Sequence, residues 1–298
     1  MKQIAILGAS ASGKTDLSLE MACKHNAIIL SLDSLSIYKQ IDIASAKPTI
    51  TERGGILHFG IDTIFMDEVF NVTLFFELYK KAKTFCELNA KNLIIVGGTG
   101  FYLKSMCDGI SKKPKLSDTT KEEIKQIMKD PNAAYAKIEK IDSFAAQSIK
   151  ANDTYRIEKW YEIFLSTNLI ASEYFQNEKK EPILKDVELF EVDVEKPILT
   201  NRITQRTKKM LQGGLIDEVV FLEKTYTREP NAMKAIGIKE TLEYLDGYYN
   251  IEQLQEKICL NTLHLAKRQK TFNKTQFKPH LKGSVGFLGK KISDFFSN

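Results

Sequence analysis

Four short, mainly apolar runs stand out along the chain, at 3–7, 27–32, 92–96 and 187–192. The first three have the length and the near-continuous apolar character of a strand that is buried on both faces, and the fourth has the same length but is interrupted by Glu188 and Glu191. Elsewhere the apolar positions recur every three or four residues, as in segment 73–90, which is the spacing of an amphipathic helix. Because strands and helices alternate in this way, the pattern predicts an α/β fold with a parallel sheet.

The strand pattern disappears between about residues 109 and 181, where lysine-rich helical patterns replace it. Three helix starts are indicated in this segment, at Ser117-Asp118, Asp130-Pro131 and Asn152-Asp153. We therefore predict an all-helical insertion at 111–182, inside an α/β core formed by 1–110 and 183–298. Two further helices are predicted in the core after the insertion, at 199–211 and 251–272, and we expect the chain beyond residue 282 to lie at the periphery.

The composition fits a soluble globular protein, with 43% hydrophobic and 27% charged residues among 298. The sequence has no apolar run of the roughly eighteen residues that a membrane helix needs, and the first strand begins directly at the N-terminus. We expect a cytoplasmic monomer that does not associate with membranes. The four cysteines lie far apart, which argues against a structural zinc site or a disulfide framework. A net charge of +5 permits a polyanionic partner.

The strongest local motif is the stretch Gly8-Ala9-Ser10-Ala11-Ser12-Gly13-Lys14-Thr15. It fits the phosphate-binding loop, in which two glycines bracket four residues and a Lys-Ser/Thr pair follows, and it has the required strand before it and helix after it. Inward-pointing amides, the N-terminus of the helix and the Lys14 ammonium would all attract one anion, and the Thr15 hydroxyl would reach a magnesium ion. A glycine-rich turn that binds nothing is the alternative.

Two further predictions concern the carboxyl ends of neighbouring strands, where parallel sheets bind ligands. Asp33 follows the second apolar run and is a candidate general base or outer-sphere magnesium ligand, or else the N-cap of a turn. The third run ends in Gly97-Gly98-Thr99-Gly100, where many NTPases have a carboxylate. Thr99 would approach a ligand there, or the glycines simply form a tight turn.

Several basic residues are candidates for anion contacts. Arg202 and Arg206 are four residues apart on a predicted helix, so they would clamp a diphosphate or form ordinary surface charge. In the insertion, Lys121, Lys125, Arg156 and Lys159 would contact nucleic acid or lie on a solvated face. Lys267 and Arg268 end a long helix in a basic pattern suited to RNA phosphates. Lys47 would add charge to the site or be solvated.

Taken together, the ordered motifs resemble the tRNA dimethylallyltransferase family, also called tRNA isopentenyltransferase. The matching stretches span nearly the whole chain: Gly8–Thr15, Asp33-Ser34-Leu35-Ser36-Ile37-Tyr38, Asp42–Pro48, Gly97–Tyr102, Asn152-Asp153 with Arg156, Arg202 with Arg206, Gly214–Val219, Ile236-Gly237 and Ala266–Gln269. The chain departs from the family pattern at Ala9-Ser10, where Pro-Thr is usual, at Ser36, often Gln, and at Phe272, usually Trp. The Ser36 difference affects a hydrogen bond to the target base.

The resemblance implies a P-loop α/β core and transfer of a dimethylallyl group from dimethylallyl diphosphate to N6 of the adenosine 3′-adjacent to the anticodon. The implied substrates are tRNAs that read codons beginning with U, bound through the anticodon arm. The implied cofactor is Mg²⁺, held by Thr15 together with the diphosphate. The implied catalytic residues are Asp33, Thr99 and Arg202. Diphosphate binding is implied for Gly8, Ala9, Ser10, Ala11, Ser12, Gly13, Lys14, Thr15 and Arg206. Contact with tRNA is implied for Asp33, Ser34, Leu35, Ser36, Thr99, Lys121, Arg156, Lys159, Lys267 and Arg268.

Three alternatives remain open from the sequence. A P-loop kinase of a small metabolite or nucleoside would use Asp33 as base toward an acceptor hydroxyl. A prenyltransferase of free adenosine phosphates would leave the insertion and the basic C-terminal helix without an evident task. A non-catalytic tRNA-binding protein would lose no activity on replacement of Asp33.

Overall fold

A computed structural model describes residues 1–68, 70–98, 100–111, 114–177 and 180–298. The chain divides into two compact units: a larger one formed by Met1–Cys107 and Ile183–Asn298, and a smaller one formed by Asp108–Pro182. Within the described ranges, no helix combines the length and the apolar character needed to cross a membrane.

The larger unit is built on a six-stranded sheet in which every neighbouring pair of strands is parallel. The strands are β1 (Gln3–Gly8), β2 (Ala27–Ser31), β3 (His58–Phe59), β4 (Asn92–Gly97), β5 (Glu188–Val192) and β6 (Leu281–Gly283), in the spatial order β3-β2-β4-β1-β5-β6. The predicted parallel α/β core of the P-loop type is confirmed. One of its two central strands, β1, lies between β4 and β5, so the phosphate-binding loop that follows it is at the middle of the sheet.

The helices of the described residues are α1 (Lys14–Lys24), α2 (Val72–Leu88), α3 (Gly100–Asp108), α4 (Asp118–Ile127), α5 (Pro131–Ile141), α6 (Ser143–Ala146), α7 (Thr154–Thr167), α8 (Ala171–Asn177), α9 (Lys196–Gln212), α10 (Leu215–Tyr226), α11 (Ile238–Leu245), α12 (Ile251–Gln276) and α13 (Val285–Ser297). A 3₁₀ turn spans Asn231–Lys234. Helix α9 begins three residues before its predicted start, because Pro197 is tolerated in the first turn.

The C-terminal segment is part of the core, so the expectation of a peripheral tail beyond residue 282 was wrong. Strand β6 pairs with β5 through Phe190 and Leu281. On α13, Leu288 and Ile292 are fully buried and pack in one cluster with Leu17 of α1 and the sheet. Residues four apart on a helix share a face, and this apolar spacing explains why the segment docks on the sheet.

The smaller unit consists of helices α4–α8 around a core of its own. Trp160 of α7 is buried at its centre, and its indole N–H donates to the Asp142 carboxylate over 2.8 Å. Burial raises the pKa of Asp142, but hydrogen bonds from Trp160 and Ser172 outweigh it, so the pKa lies below its ordinary value. The predicted starts of α4, α5 and α7 are confirmed, with Ser117, Asp130 and Asp153 as N-caps. These caps are local hydrogen bonds, which a sequence pattern specifies well.

Candidate active site

The phosphate-binding loop connects β1 to α1 through a backbone that most side chains disfavour. Gly13 has φ +94° and Ala11 has φ +64°, both in the left-handed region. At Gly8, an added Cβ would lie 2.6 Å from Ser12 Oγ and 3.2 Å from the Cβ of Val192, which leaves no room for a side chain. The glycines of the motif are therefore required by the fold of the loop, and the helix N-terminus at Lys14 faces the anion position.

Two side chains from distant helices hold this loop. Arg202 of α9 donates from Nη1 to the Ser12 carbonyl over 2.9 Å. Gln269 of α12 accepts through Oε1 from the Ser10 amide, also over 2.9 Å. Arg202 is exposed and is not among the residues that line the cavity beside the loop. In this structure Arg202 contacts the loop backbone, and its predicted catalytic role stays a prediction.

A cavity of about 460 Å³ lies beside the loop and is lined by Lys14, Thr15, Asp33 and Arg206. Burial and the nearby Arg206 lower the pKa of Lys14 to about 8, against the opposing effect of Asp33. Burial also lowers the pKa of Arg206, again opposed by Asp33. Two partly buried cations in one cavity, whose pKa values burial lowers, favour an anion there. The structure thus brings Lys14, Asp33 and Arg206 together, although they lie up to 192 residues apart in the sequence.

Asp33 organises the turn after β2 and lines the cavity at the same time. Its Oδ1 accepts from the amides of Leu35 and Ser36, over 2.8 and 3.0 Å. The capping interpretation is therefore confirmed for one carboxylate oxygen. Ser34, Leu35 and Ser36 also line the cavity, and Ser36 is 5% exposed. The role of Asp33 as a base and the roles of these residues toward tRNA remain predictions.

The segment from Asp42 to Pro48 forms another wall of the cavity, and a carboxylate from α10 fixes it. Glu218 accepts from the amides of Asp42 and Ile43 through Oε2 and from that of Ala44 through Oε1, over 2.7–2.8 Å. This contact connects residues 174 or more positions apart. Glu218 belongs to the Gly214–Val219 motif, but its sequence position alone indicates no such contact.

Lys47 stabilises the same segment and lines the cavity, so it is not solvated, while its contribution of charge to the site stays a prediction. Its side chain is 4% exposed and forms ion pairs with Asp42 at 2.6 Å and Asp62 at 2.5 Å. It also donates to the Tyr38 carbonyl over 2.9 Å. Burial raises the pKa of Asp62, but contacts with Lys47 and Arg53 lower it by more. The lysine charge is thus paired with one acid of the segment and with one acid outside it.

The glycine turn after β4 packs directly against α12. At Gly98 an added Cβ would lie 2.5 Å from Gln269 Nε2, and at Gly100 it would lie 2.5 Å from Asn273 Oδ1. The tight-turn interpretation of these glycines is therefore supported by close packing. Thr99, predicted to be catalytic and to contact tRNA, lies outside the described residues.

Tyr102 was given no role from the sequence, but its hydroxyl is near enough to Asp33 for the carboxylate to affect its pKa. Burial, with smaller contributions from Asp33 and Tyr38, raises the pKa of Tyr102 to about 12. Its ring centroid lies 4.5 Å from that of Phe75 and 5.9 Å from that of Phe70. These rings form one aromatic cluster, of which Phe70 lines the cavity. Only the position of Tyr102, in the helix after the glycine turn, could have indicated this role.

The predicted tRNA contacts fall into two groups. In the smaller unit each cation pairs with a nearby acid: Lys121 with Asp118 at 2.8 Å, Arg156 with Asp153 at 2.8 Å, and Lys159 with Glu162. The exposed pairs of Lys121 and Arg156 are weak and leave these two cations available to phosphates, whereas Lys159 is half-buried between Glu158 and Glu162. In the larger unit, Lys267 and Arg268 are exposed on α12, and neither forms an ion pair within the described part of the chain.

The predicted Mg²⁺ site fits the donors of the cavity. Among the described residues no cluster of three or more His, Cys, Asp or Glu could hold a metal ion. Mg²⁺ bound with a substrate needs only one or two protein oxygens, because phosphate oxygens and water complete its octahedron. Thr15 lines the cavity and would supply such an oxygen. The donor set therefore suits a metal that arrives with a diphosphate.

Comparison with known proteins places these features in a family. The family model described as IPP transferase matches residues 36–276. The tRNA dimethylallyltransferase of Aliarcobacter butzleri is 51% identical over 301 residues and covers 100% of both chains. That of Nautilia profundicola is 52% identical over 289 residues, covering 97% of this chain and 98% of the relative.

Two solved structures are also similar. A eukaryotic dimethylallyltransferase acting on tRNA has a TM-score of 0.79 at 27% identity, over 92% of this chain and 70% of that one. A tRNA isopentenylpyrophosphate transferase from Bacillus halodurans has a TM-score of 0.71 at 26% identity, over 99% and 97% of the two chains. With a matching family model across most of its length and relatives about half identical from end to end, this chain belongs to the IPP transferase family of tRNA dimethylallyltransferases.

Proposed function

We propose that the protein transfers a dimethylallyl group from dimethylallyl diphosphate to N6 of the adenosine 3′-adjacent to the anticodon, in tRNAs that read codons beginning with U. The observation that carries the proposal is one cavity that joins a cationic phosphate-binding loop to Asp33. Full-length relatives with this named activity support it and do not favour a phosphoryl-transfer alternative.

The loop binds the diphosphate as a leaving group. As the bond between C1 of the dimethylallyl group and its oxygen breaks, negative charge builds up on the diphosphate. The loop amides, Lys14 and Arg206 stabilise this charge, and their partial burial strengthens the interaction. When Mg²⁺ is bound through Thr15 and the phosphates, it supplies further charge neutralisation.

Asp33 takes the proton that N6 loses as the new bond between C1 and N6 forms. An adenine amine is a weak nucleophile, so removing its proton during attack lowers the barrier. Because Oδ1 already accepts two amide hydrogen bonds, Oδ2 is the oxygen left to act as base. The two bonds to Oδ1 also fix the carboxylate plane, which keeps Oδ2 in position.

The tRNA binds through phosphate contacts, and the target base leaves its stack to enter the cavity. Flipping a base costs a few kcal/mol, which backbone and stacking contacts offset. We assign these contacts to Lys121, Arg156 and Lys159 of the smaller unit and to Lys267 and Arg268 of α12. We infer a cytoplasmic protein that acts on tRNA as a monomer.

Mass analysis of tRNA nucleosides tests the proposal. The purified protein is incubated with unmodified tRNA, Mg²⁺ and dimethylallyl diphosphate, and we expect one adenosine per substrate tRNA to gain a five-carbon prenyl group. A parallel reaction with ATP in place of the prenyl donor should show no phosphorylated product. Rapid ATP turnover without prenylation would support a kinase, and AMP competing as a good acceptor would indicate a free nucleotide as substrate.

A further inference from the structure

Helix α12 presents one continuous row of side chains to the carboxyl edge of the sheet. Ala266 packs against Ala9 of the phosphate-binding loop, in a cluster with Leu199 and Ile203. One turn later, Gln269 accepts from the Ser10 amide. A further turn on, Asn273 is fully buried and lies against Gly100. The helix therefore contacts both turns that flank the cavity, those after β1 and β4.

Gln269 is the one polar side chain in this row that touches both turns. Its Oε1 lies 2.9 Å from the Ser10 nitrogen. Its Nε2 lies so close to Gly98 that a Cβ there would approach it to 2.5 Å. The strands that lead into these turns are adjacent, with Leu7 in register with Gly97. The carboxamide thus connects the phosphate-binding loop to its neighbour at the point where the cavity opens.

The phosphate-binding loop needs such support because its own sequence does not favour its shape. Ala11 adopts φ +64°, a conformation that costs an alanine roughly 1–2 kcal/mol. Gln269 holds the residue before it and Arg202 holds the residue after it. Gln269 also lines the cavity, so its side chain lies next to the position of the anion.

We propose that Gln269 is a positioning residue for the transfer reaction, which holds the phosphate-binding loop in the shape that receives the diphosphate of the donor. The inference rests on the proposed function for the identity of the donor, but not for the binding of diphosphate. The diphosphate occupies the loop before and during transfer. Loss of this support therefore weakens the binding of the donor and of the transition state by similar amounts.

The test measures binding of inorganic pyrophosphate with Mg²⁺ by calorimetry, and steady-state kinetics with dimethylallyl diphosphate and tRNA. Gln269→Met keeps the side-chain length and removes the hydrogen bond. The loss of one such bond predicts a roughly five- to tenfold rise in the Kd of pyrophosphate and in the KM of the donor. We expect kcat and the KM of tRNA to stay within about twofold of wild type. Gln276→Met makes the same change at the exposed end of α12 and should alter none of these constants.

The Gln269→Glu variant distinguishes the effect of the hydrogen bond to the Ser10 amide from the effect of charge beside the diphosphate. The carboxylate still accepts from the Ser10 amide but places negative charge beside the diphosphate, so the Kd of pyrophosphate should rise more than in Gln269→Met. The excess should shrink at high salt, where charges are screened. If Gln269→Met fails to fold, Gln269→Ala takes its place, because it also removes the hydrogen bond, with Gln276→Ala as its control. Unchanged pyrophosphate binding in a folded variant, or a loss confined to kcat or to tRNA affinity, would overturn the inference.

The outcomes distinguish this inference from the proposed function. A wild-type protein that binds pyrophosphate in a Gln269-dependent manner but never prenylates tRNA overturns the function and leaves the role of Gln269 standing. A wild-type protein that prenylates tRNA, with a folded Gln269→Met variant of equal donor KM, overturns the role of Gln269 alone.

Discussion

The two oxygens of the Asp33 carboxylate have different roles: one fixes a turn, and the other is the proposed base. Its Oδ1 is occupied by the amides of Leu35 and Ser36, while the side chain also lines the cavity beside Lys14. Asp33→Asn keeps a carbonyl oxygen for the two amides and abolishes the base. We expect kcat for prenyl transfer to fall about 10²–10⁴-fold, the usual contribution of a general base. Filter binding should show that the Kd for tRNA is retained.

A second variant at Asp33 tests its structural role in the turn. Asp33→Ala also removes the acceptor of the Leu35 and Ser36 amides, so it should lower the thermal midpoint as well as kcat. If Asp33→Asn keeps its full rate, the base is another group. If Asp33→Asn instead loses tRNA binding with kcat intact, the side chain serves recognition and not proton transfer.

Lys14 makes diphosphate binding dependent on pH. Its pKa is lowered from 10.5 to about 8, chiefly by burial, so the free protein carries this charge below pH 8 and loses it above. A bound diphosphate favours the ammonium and raises its pKa again, so binding above pH 8 must take up a proton. By linkage, the affinity for pyrophosphate should fall by up to about tenfold per pH unit between pH 8 and 10.

Calorimetric titration across this pH range measures the effect, and Lys14→Arg is its control. An arginine stays charged throughout, so the step centred near pH 8 should vanish even if the overall affinity is lower. The titration of pyrophosphate itself is common to both proteins and cancels in the comparison. An identical pH profile for wild type and Lys14→Arg would contradict the assignment of the step to Lys14.

At the scale of elements, α10 determines the shape of the cavity wall at 42–48. Glu218 accepts three amide hydrogen bonds from that wall, and a glutamine can offer only one uncharged oxygen. Glu218→Gln should lower the free energy of unfolding by about 1–3 kcal/mol, because it leaves amides unpaired. Hydrogen exchange should accelerate at the amides of Asp42, Ile43 and Ala44.

Asp217 provides the comparison within the same helix. Asp217→Asn removes a charge from the first turn of α10, but the side chain is exposed. This substitution should change the free energy of unfolding by no more than about 0.5 kcal/mol, as for most surface substitutions. Equal exchange rates at residues 42–44 in both variants would show that the carboxylate does not fix the wall.

Elements whose signals are local were predictable from the sequence, and contacts between distant elements were not. The strands ending at Gly8 and Gly97 and the caps Ser117, Asp130 and Asp153 depend on a few neighbouring residues. By contrast, Glu218 and Gln269 act on backbone amides 174 or more positions away. Nothing in their immediate sequence specifies such a partner.

At the scale of the whole molecule, the two ends of the smaller unit leave and rejoin the larger unit at one place. The Met106 carbonyl accepts from the amides of Ile183 and Leu184, each over 3.1 Å. The sequence could indicate the segment, because strand patterns disappear there, but not this closure, which joins residues 77 positions apart. The smaller unit also has its own buried core around Trp160. Each unit therefore has the packing that independent folding requires.

Because of this contact, the smaller unit can be deleted from the chain. The deletion tests whether the larger unit binds diphosphate and the smaller unit binds tRNA. Replacing Asp108–Pro182 by a short glycine linker preserves the Met106–Ile183 contact, the sheet and the phosphate-binding loop. The shortened protein should unfold cooperatively and bind pyrophosphate with wild-type affinity, while tRNA prenylation falls by about 10²-fold or more because contacts with the tRNA backbone are lost.

In the full chain, joint replacement of Lys121, Arg156 and Lys159 by alanine should weaken tRNA binding. It should also reduce the salt dependence of the Kd for tRNA, since each phosphate contact contributes to that slope. A shortened protein that prenylates tRNA at the wild-type rate would mean that recognition resides in the larger unit, with Lys267 and Arg268 as its first candidates.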